Sequence, residues 1–244
     1  MTLELAGFGI VTGFISGFFG VGGGMILVPM LLMVGYVMKE AVAISIMQMV
    51  FSSIYGSFLN AQKAKDVVKD GMVIGTGGFI GGLQSGYIVS NVSNEFLQYL
   101  FIAILIFSIV RIFYSPAEPE GERKSHNKFI LLIIGFFIGI VAMSIGVGGS
   151  ILLTPILVGF MKYDLKSATA LGLFFVIFSS IAGFTSISLH GNMLYTEGAI
   201  VGIASLIGVY FGIKAKHIVK STSYKQYILI LNIIILIAML YKTI

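Results

Sequence analysis

Apolar residues fill this chain in long blocks separated by short polar joints, and the blocks fall into two sets of the same shape. The first block, Gly7 to Val37, holds 31 residues without a charge. As one straight helix it would measure roughly 46 Å against a bilayer hydrocarbon core of roughly 30 Å, so it must bend. The run Gly20-Val21-Gly22-Gly23-Gly24 inside it supplies the break, because glycine is a poor helix former and takes backbone angles that other residues avoid. The pattern predicts segment a over about 3–19 and segment b over about 25–38, then three spans of bilayer length: c (about 41–60), d (about 70–90) and e (about 95–114). The second set repeats this at about 128–145, 151–161, 166–189, 196–214 and 223–241. The expected fold is an all-α integral membrane protein, each half a broken or re-entrant helix pair followed by three transmembrane helices.

The two sets match residue by residue. Gly9, Gly13, Gly20, Val21, Gly22, Gly23 and Pro29 meet Gly135, Gly139, Gly146, Val147, Gly148, Gly149 and Pro155 at a constant offset of 126. After a slip of one residue, Lys39, Ala41, Phe51-Ser52-Ser53-Ile54, Gly56, Gly71, Gly75 and Gly81 meet Lys166, Ala168, Phe178-Ser179-Ser180-Ile181, Gly183, Gly198, Gly202 and Gly208. Gln98-Tyr99 and Gln226-Tyr227 close the series. The organisation read from this is repeat 1 over 1–114, a polar linker over 115–127 and repeat 2 over 128–244.

Composition narrows the class. With 57% hydrophobic and 10% charged residues and a mean hydropathy of +1.03, the chain lacks the polar surface of a soluble domain. The first twenty residues carry Glu4 but no Lys or Arg, so the first segment reads as retained rather than cleaved. No cysteine is present, which excludes disulfides and thiolate chemistry.

The net charge of +5 is placed in short loops, where it reports orientation rather than nucleic-acid binding. If a and b form a hairpin, the halves are inverted, and Lys63, Lys65, Lys69, Arg111, Arg123, Lys124, Lys128, Lys162, Lys166, Lys214, Lys216, Lys220 and Lys225 share one face, with Lys39 and Lys242 on the other. That division is thirteen against two, whereas a parallel arrangement gives eight against seven. The positive-inside rule favours inversion, with both termini outside and the linker in the cytoplasm.

A broken helix in lipid exposes backbone N–H and C=O groups that only protein or a wet cavity can satisfy. Two breaks from inverted halves are expected to converge, aiming the half-helix N-termini and their positive dipole ends at one cavity suited to an anion. The candidate substrate-binding residues are Gly22, Gly23, Gly24, Gly148, Gly149 and Ser150 from the breaks, with Gln48, Ser52, Ser53, Ser179 and Ser180 from the c segments. Gln48 is the sharpest of these because a buried amide is costly without a partner. Serines and threonines in membrane helices more often bond their own backbone or a neighbouring helix, so for Ser52-Ser53 and Ser179-Ser180 that explanation weighs about evenly with substrate contact. The competing explanation of the glycine triplets is close helix packing, which does explain the stripes Gly9/Gly13/Gly17 and Gly78/Gly82/Gly86. His126, His190 and His217 are scattered, no metal or cofactor is implied, and the phosphate-loop lysine is missing. Ser150 with His190 makes no credible catalytic pair.

The duplicated Gly-Val-Gly-Gly-Gly/Ser, each followed by Pro29 or Pro155 and then by Lys39 or Lys166, resembles the TauE/SafE family of membrane permeases over essentially the whole chain. The resemblance implies a transporter of sulfite, sulfonates such as sulfoacetate, or related organic anions across the cytoplasmic membrane. The expected function is a secondary transporter of small sulfur-containing anions; a passive anion channel and a membrane scaffold are the alternatives, and no enzyme activity is expected. The expected partners are the anion and the bilayer, without nucleic acid, and the glycine stripes would permit a homodimer.

Overall fold

The computed structural model describes residues 2–20, 22–60, 68–114, 127–163, 165–216, 218 and 221–243. The basic loop 61–67, linker residues 115–126, Val21 and His217, and the side chains of Lys166 and Thr169, lie outside the described residues. The elements are α1 (Thr2–Phe19), α2 (Gly24–Met33), α3 (Met38–Asn60), α4 (Val68–Gly82), α5 (Ser85–Asn91) and α6 (Asn94–Tyr114), then α7 (Lys128–Ser144), α8 (Ser150–Gly159), α9 (Leu165–Leu189), α10 (Tyr195–Lys216) and α11 (Ser221–Thr243). Among the described residues there is no strand, and six helices are long and apolar enough to cross a membrane.

Two features depart from the hydropathy pattern. Segment b stops at Met33 rather than near 38, because Gly35 turns to φ 102° and the Tyr36 N–H donates back to the Leu31 carbonyl at 3.1 Å. That leaves α2 ten residues long, about 15 Å, half a bilayer. Segment d is cut at Leu83-Gln84 into α4 and α5. There the Ser186 hydroxyl of α9 enters the helix ladder, donating to the Leu83 carbonyl at 2.6 Å and accepting the Gly86 N–H at 2.9 Å.

Glycine decides how the helices pack. Gly9, Gly13 and Gly17 of α1 lie against Val201, Ser205 and Val209 of α10, so tightly that any Cβ would strike a backbone carbonyl. Gly135 and Gly139 of α7 lie in the same manner against Ile74 and Gly78 of α4. Each half thus lends its first helix to the fourth span of the other. In both seams the numbers rise together, so the paired helices run in the same sense. By the same test α10 runs with α3, where Gly198 meets Met47 and Gly202 meets Phe51, and α4 runs with α9, where Gly75 meets Phe178 and Gly86 meets Ser186. The glycine stripes are therefore occupied within the chain.

The outer faces are apolar as well as the core. Ile230, Ile233, Ile234 and Ile237 form one exposed face of α11, while Gln48, Ser52, Ser108, Ser150 and Asn232 are buried among the apolar core residues. Exposed aliphatic helix faces suit lipid as the outer solvent.

Candidate functional site

Both glycine runs break their helices. Gly20, Gly22 and Gly23 and their mates Gly146, Gly148 and Gly149 all have positive φ, between 68° and 81°, which L side chains rarely adopt. The short helices start at once: the Ile26 and Leu27 N–H groups donate to the Gly23 carbonyl, and the Leu152 and Leu153 N–H groups to the Gly149 carbonyl. The first-turn amides and the positive dipole ends of α2 and α8 stand at the breaks.

The breaks also meet. The Ser45 hydroxyl of α3 donates to the Gly146 carbonyl at 2.7 Å, and Gly24 lies against that same carbonyl. From the other side, Gly172 of α9 faces the Gly20 carbonyl and Ser150. Met49 and its repeat mate Val176 both close on Gly22. Gly22, Gly23, Gly24, Gly148, Gly149 and Ser150 are all buried, so the junction is sealed from solvent in this conformation.

The c helices contribute unequally. Gln48 is fully buried, its amide lies on Gly23, and neither its Nε2 nor its Oε1 has a hydrogen-bond partner in the protein. Its repeat mate Phe175 lays its ring on Gly149 instead. Ser52 donates to the Met49 carbonyl at 3.4 Å, Ser179 to the Phe175 carbonyl at 2.8 Å and Ser180 to the Ile177 carbonyl at 3.2 Å, so these three hydroxyls face their own helices. Ser53 is buried with an unpartnered hydroxyl. His190 Nδ1 lies 2.8 Å from the Ser186 carbonyl in the α5–α9 packing.

Several residues at the junction carried no sequence signal of their own. Ser45 is one small polar residue at helical spacing from Gln48 and Ser52, and Met49, Phe175 and Val176 are ordinary residues for a lipid span. Thr154 lies one turn after Ser150 on α8, whereas Ser108 and Asn232 are isolated polar residues in two other spans that only folding brings beside them. The repeat offset could have flagged one more set: Tyr36 and Tyr163, and Asp70 and Glu197, are mates at 127. The buried Tyr163 hydroxyl, after α8, donates to Asp70 Oδ2 at the start of α4 at 2.8 Å. The Tyr36 hydroxyl, after α2, is buried without a hydrogen-bond partner. Burial, with the Glu197 and Glu40 carboxylates nearby, pushes its phenol above the ordinary tyrosine range, so Tyr36 stays a neutral donor.

A lipid-faced bundle of paired half-helices around a sealed polar junction is the architecture of a multi-pass membrane transporter. The comparisons agree: residues 5–239 match the family described as sulfite exporter TauE/SafE, and the chain belongs to that family. A probable membrane transporter protein of Methanocaldococcus jannaschii is 43% identical over 202 residues, 80% of this chain and 74% of that one. Proteins of the same description in Bacillus subtilis and Haemophilus influenzae are 24% and 23% identical over 94% and 96% of this chain and 92% of each of theirs.

Proposed function

We propose that the protein is a secondary transporter that binds a small sulfur-containing anion, sulfite or a sulfonate, between its two broken helices. The observation that carries this reading is Gln48, a fully buried amide with no protein partner, held at the N-terminus of α2 where the opposite half's break also arrives. A buried amide without a partner costs about 1–3 kcal/mol, and an anion at the junction would satisfy its Nε2 while using the helix dipoles. The site needs no buried cation: a ligand could be held by Gly22, Gly23, Gly24, Gly148, Gly149, Ser150, Gln48 and Ser53. Ser52, Ser179 and Ser180 would join only by giving up their helix bonds.

In this reading the halves are inverted repeats in the cytoplasmic membrane, both termini outside and the linker inside, as the thirteen-to-two division of basic residues favours. Rocking of the halves would open the junction to each side in turn. The mirrored tyrosine–carboxylate contacts support it: Tyr163–Asp70 is made, and Tyr36–Glu197 is the unbonded counterpart.

Flux of sulfite and methanesulfonate into vesicles holding the purified protein tests the proposal. Saturable flux with counter-transport is expected, and Gln48→Leu is expected to lower apparent affinity at least about tenfold, since a hydrogen bond to a charged group contributes about 1.5–3 kcal/mol. Unchanged flux in Gln48→Leu would remove the site; single-channel currents would replace the carrier with a pore.

A further inference from the structure

Beside the junction, between α6, α8 and α11, lies a small cleft lined by Ser108, Ser150, Thr154 and Asn232 among apolar neighbours. All four are at least nine-tenths buried, and the Ser108, Ser150 and Thr154 hydroxyls and the Asn232 Oδ1 have no hydrogen-bond partner. Most serines and threonines in spanning helices donate back to their own turn, as Thr12, Ser144 and Thr185 do here. Ser108 and Thr154 do not. The Asn232 amide is oriented as well, because its Nδ2 donates to the Ile228 carbonyl at 2.9 Å and leaves the oxygen for the cleft.

The cleft draws on both halves, Ser108 from the first and Ser150, Thr154 and Asn232 from the second, and it has no polar counterpart. Under the repeat offsets of 126 and 128, the mates of Ser150, Thr154, Ser108 and Asn232 are Gly24, Val28, Leu236 and Ile104, none with a polar side chain. A fold that needed these groups for packing would not need them in only one of two repeat-related places. The free space is about 10 Å³, room for one oxygen-sized body. Of the three hydroxyls at the positive end of α8, two at a time can donate to the two lone pairs of that oxygen, and the one fixed acceptor, Asn232 Oδ1, calls for a proton upon it. An atom with lone pairs and a proton is a hydroxyl oxygen.

We propose that the cleft is the proton-reading part of the anion site, with Asn232 selecting oxyanions that carry an O–H, and Ser108, Ser150 and Thr154 holding that oxygen. The inference rests on the transport reading above and deepens it. The remainder of the anion lies toward the glycine break. Among the described residues no titratable side chain lines the cleft, so the proton that Asn232 reads there is the substrate's own.

A charge-matched pair of probes tests this: at mildly acidic pH, methylphosphonate is a monoanion with one P–OH, and methanesulfonate is a monoanion with none. Calorimetry on the purified protein is expected to show methylphosphonate binding at least about tenfold tighter. Asn232→Leu is expected to erase that preference by deleting the one fixed acceptor, with at most a small fall in ligand-free melting temperature from the lost Nδ2 bond to the Ile228 carbonyl. Thr154→Val is expected to weaken both probes alike. Equal binding of the two probes to the wild type would overturn the inference and leave the transport reading standing. If sulfite, methanesulfonate and methylphosphonate all failed to bind, the transport reading would fall and this inference with it. Should Asn232→Leu not fold, the wild-type comparison alone decides.

Discussion

The two helix breaks are built on one backbone plan and finished with different side chains. In the first half, Gly24 opens the short helix and Ser45 of α3 fills the space beside it; in the second, Ser150 opens the helix and Gly172 of α9 makes the space. The hydroxyl has changed places across the contact. Gln48 against Gly23 becomes Phe175 against Gly149. The shared features are those that let two chains of backbone approach, namely positive φ and missing Cβ atoms. The unshared features are polar groups, and those left without partners, the Gln48 amide, the Ser150, Ser108 and Thr154 hydroxyls and the Asn232 Oδ1, are the ones an asymmetric ligand would use.

The largest effect is expected from forcing one half toward the other. A side chain at Gly24 strikes Ser45 Oγ and the Gly146 carbonyl, so Gly24→Ser is expected to abolish transport and to destabilise the protein by about 1–3 kcal/mol, as overpacking does. Adding Ser45→Gly reproduces the serine–glycine order of the second half and is expected to restore part of the lost melting temperature. Lack of any rescue would show that the exchange of places is not a packing compensation.

A smaller effect separates the two ends. Tyr163→Phe removes a made hydrogen bond to Asp70, worth about 0.5–1.5 kcal/mol, whereas Tyr36→Phe removes a hydroxyl that has no bond. The native chain has no cysteine, so single cysteines placed beside α4 and α10 report each end by thiol labelling. Tyr163→Phe is expected to raise labelling near α4, with Tyr36→Phe leaving the resting pattern unchanged. Equal changes at both ends would break the distinction. The smallest effect belongs to Ser179→Ala, whose hydroxyl bonds its own turn; flux is expected to hold within about twofold and stability within about 0.5 kcal/mol.

Much of the architecture could be read from residue order. An uncharged run too long for one span, interrupted by glycines, has few other solutions in lipid, and its return at a fixed offset marks both breaks. Gln48 was legible because an amide in an apolar span is costly wherever it goes. Less legible were the stop at Gly35, which apolar flanks conceal, and the cut at Leu83-Gln84, which comes from Ser186 a hundred residues away. Local pattern cannot report a hydroxyl inserted from another helix.

Residue order alone places this protein in lipid, brings the same residues back at a near-constant offset and locates its helix breaks, because hydropathy and glycine act through local backbone energetics. The rest came from the packing of helices: each first helix joins the opposite half, the breaks meet across Ser45 and Gly146, and Ser108 and Asn232 gather beside Ser150 and Thr154. Contacts between residues a hundred positions apart depend on how helix faces fit, and the order of residues along one strand of chain does not encode that fit in any single stretch.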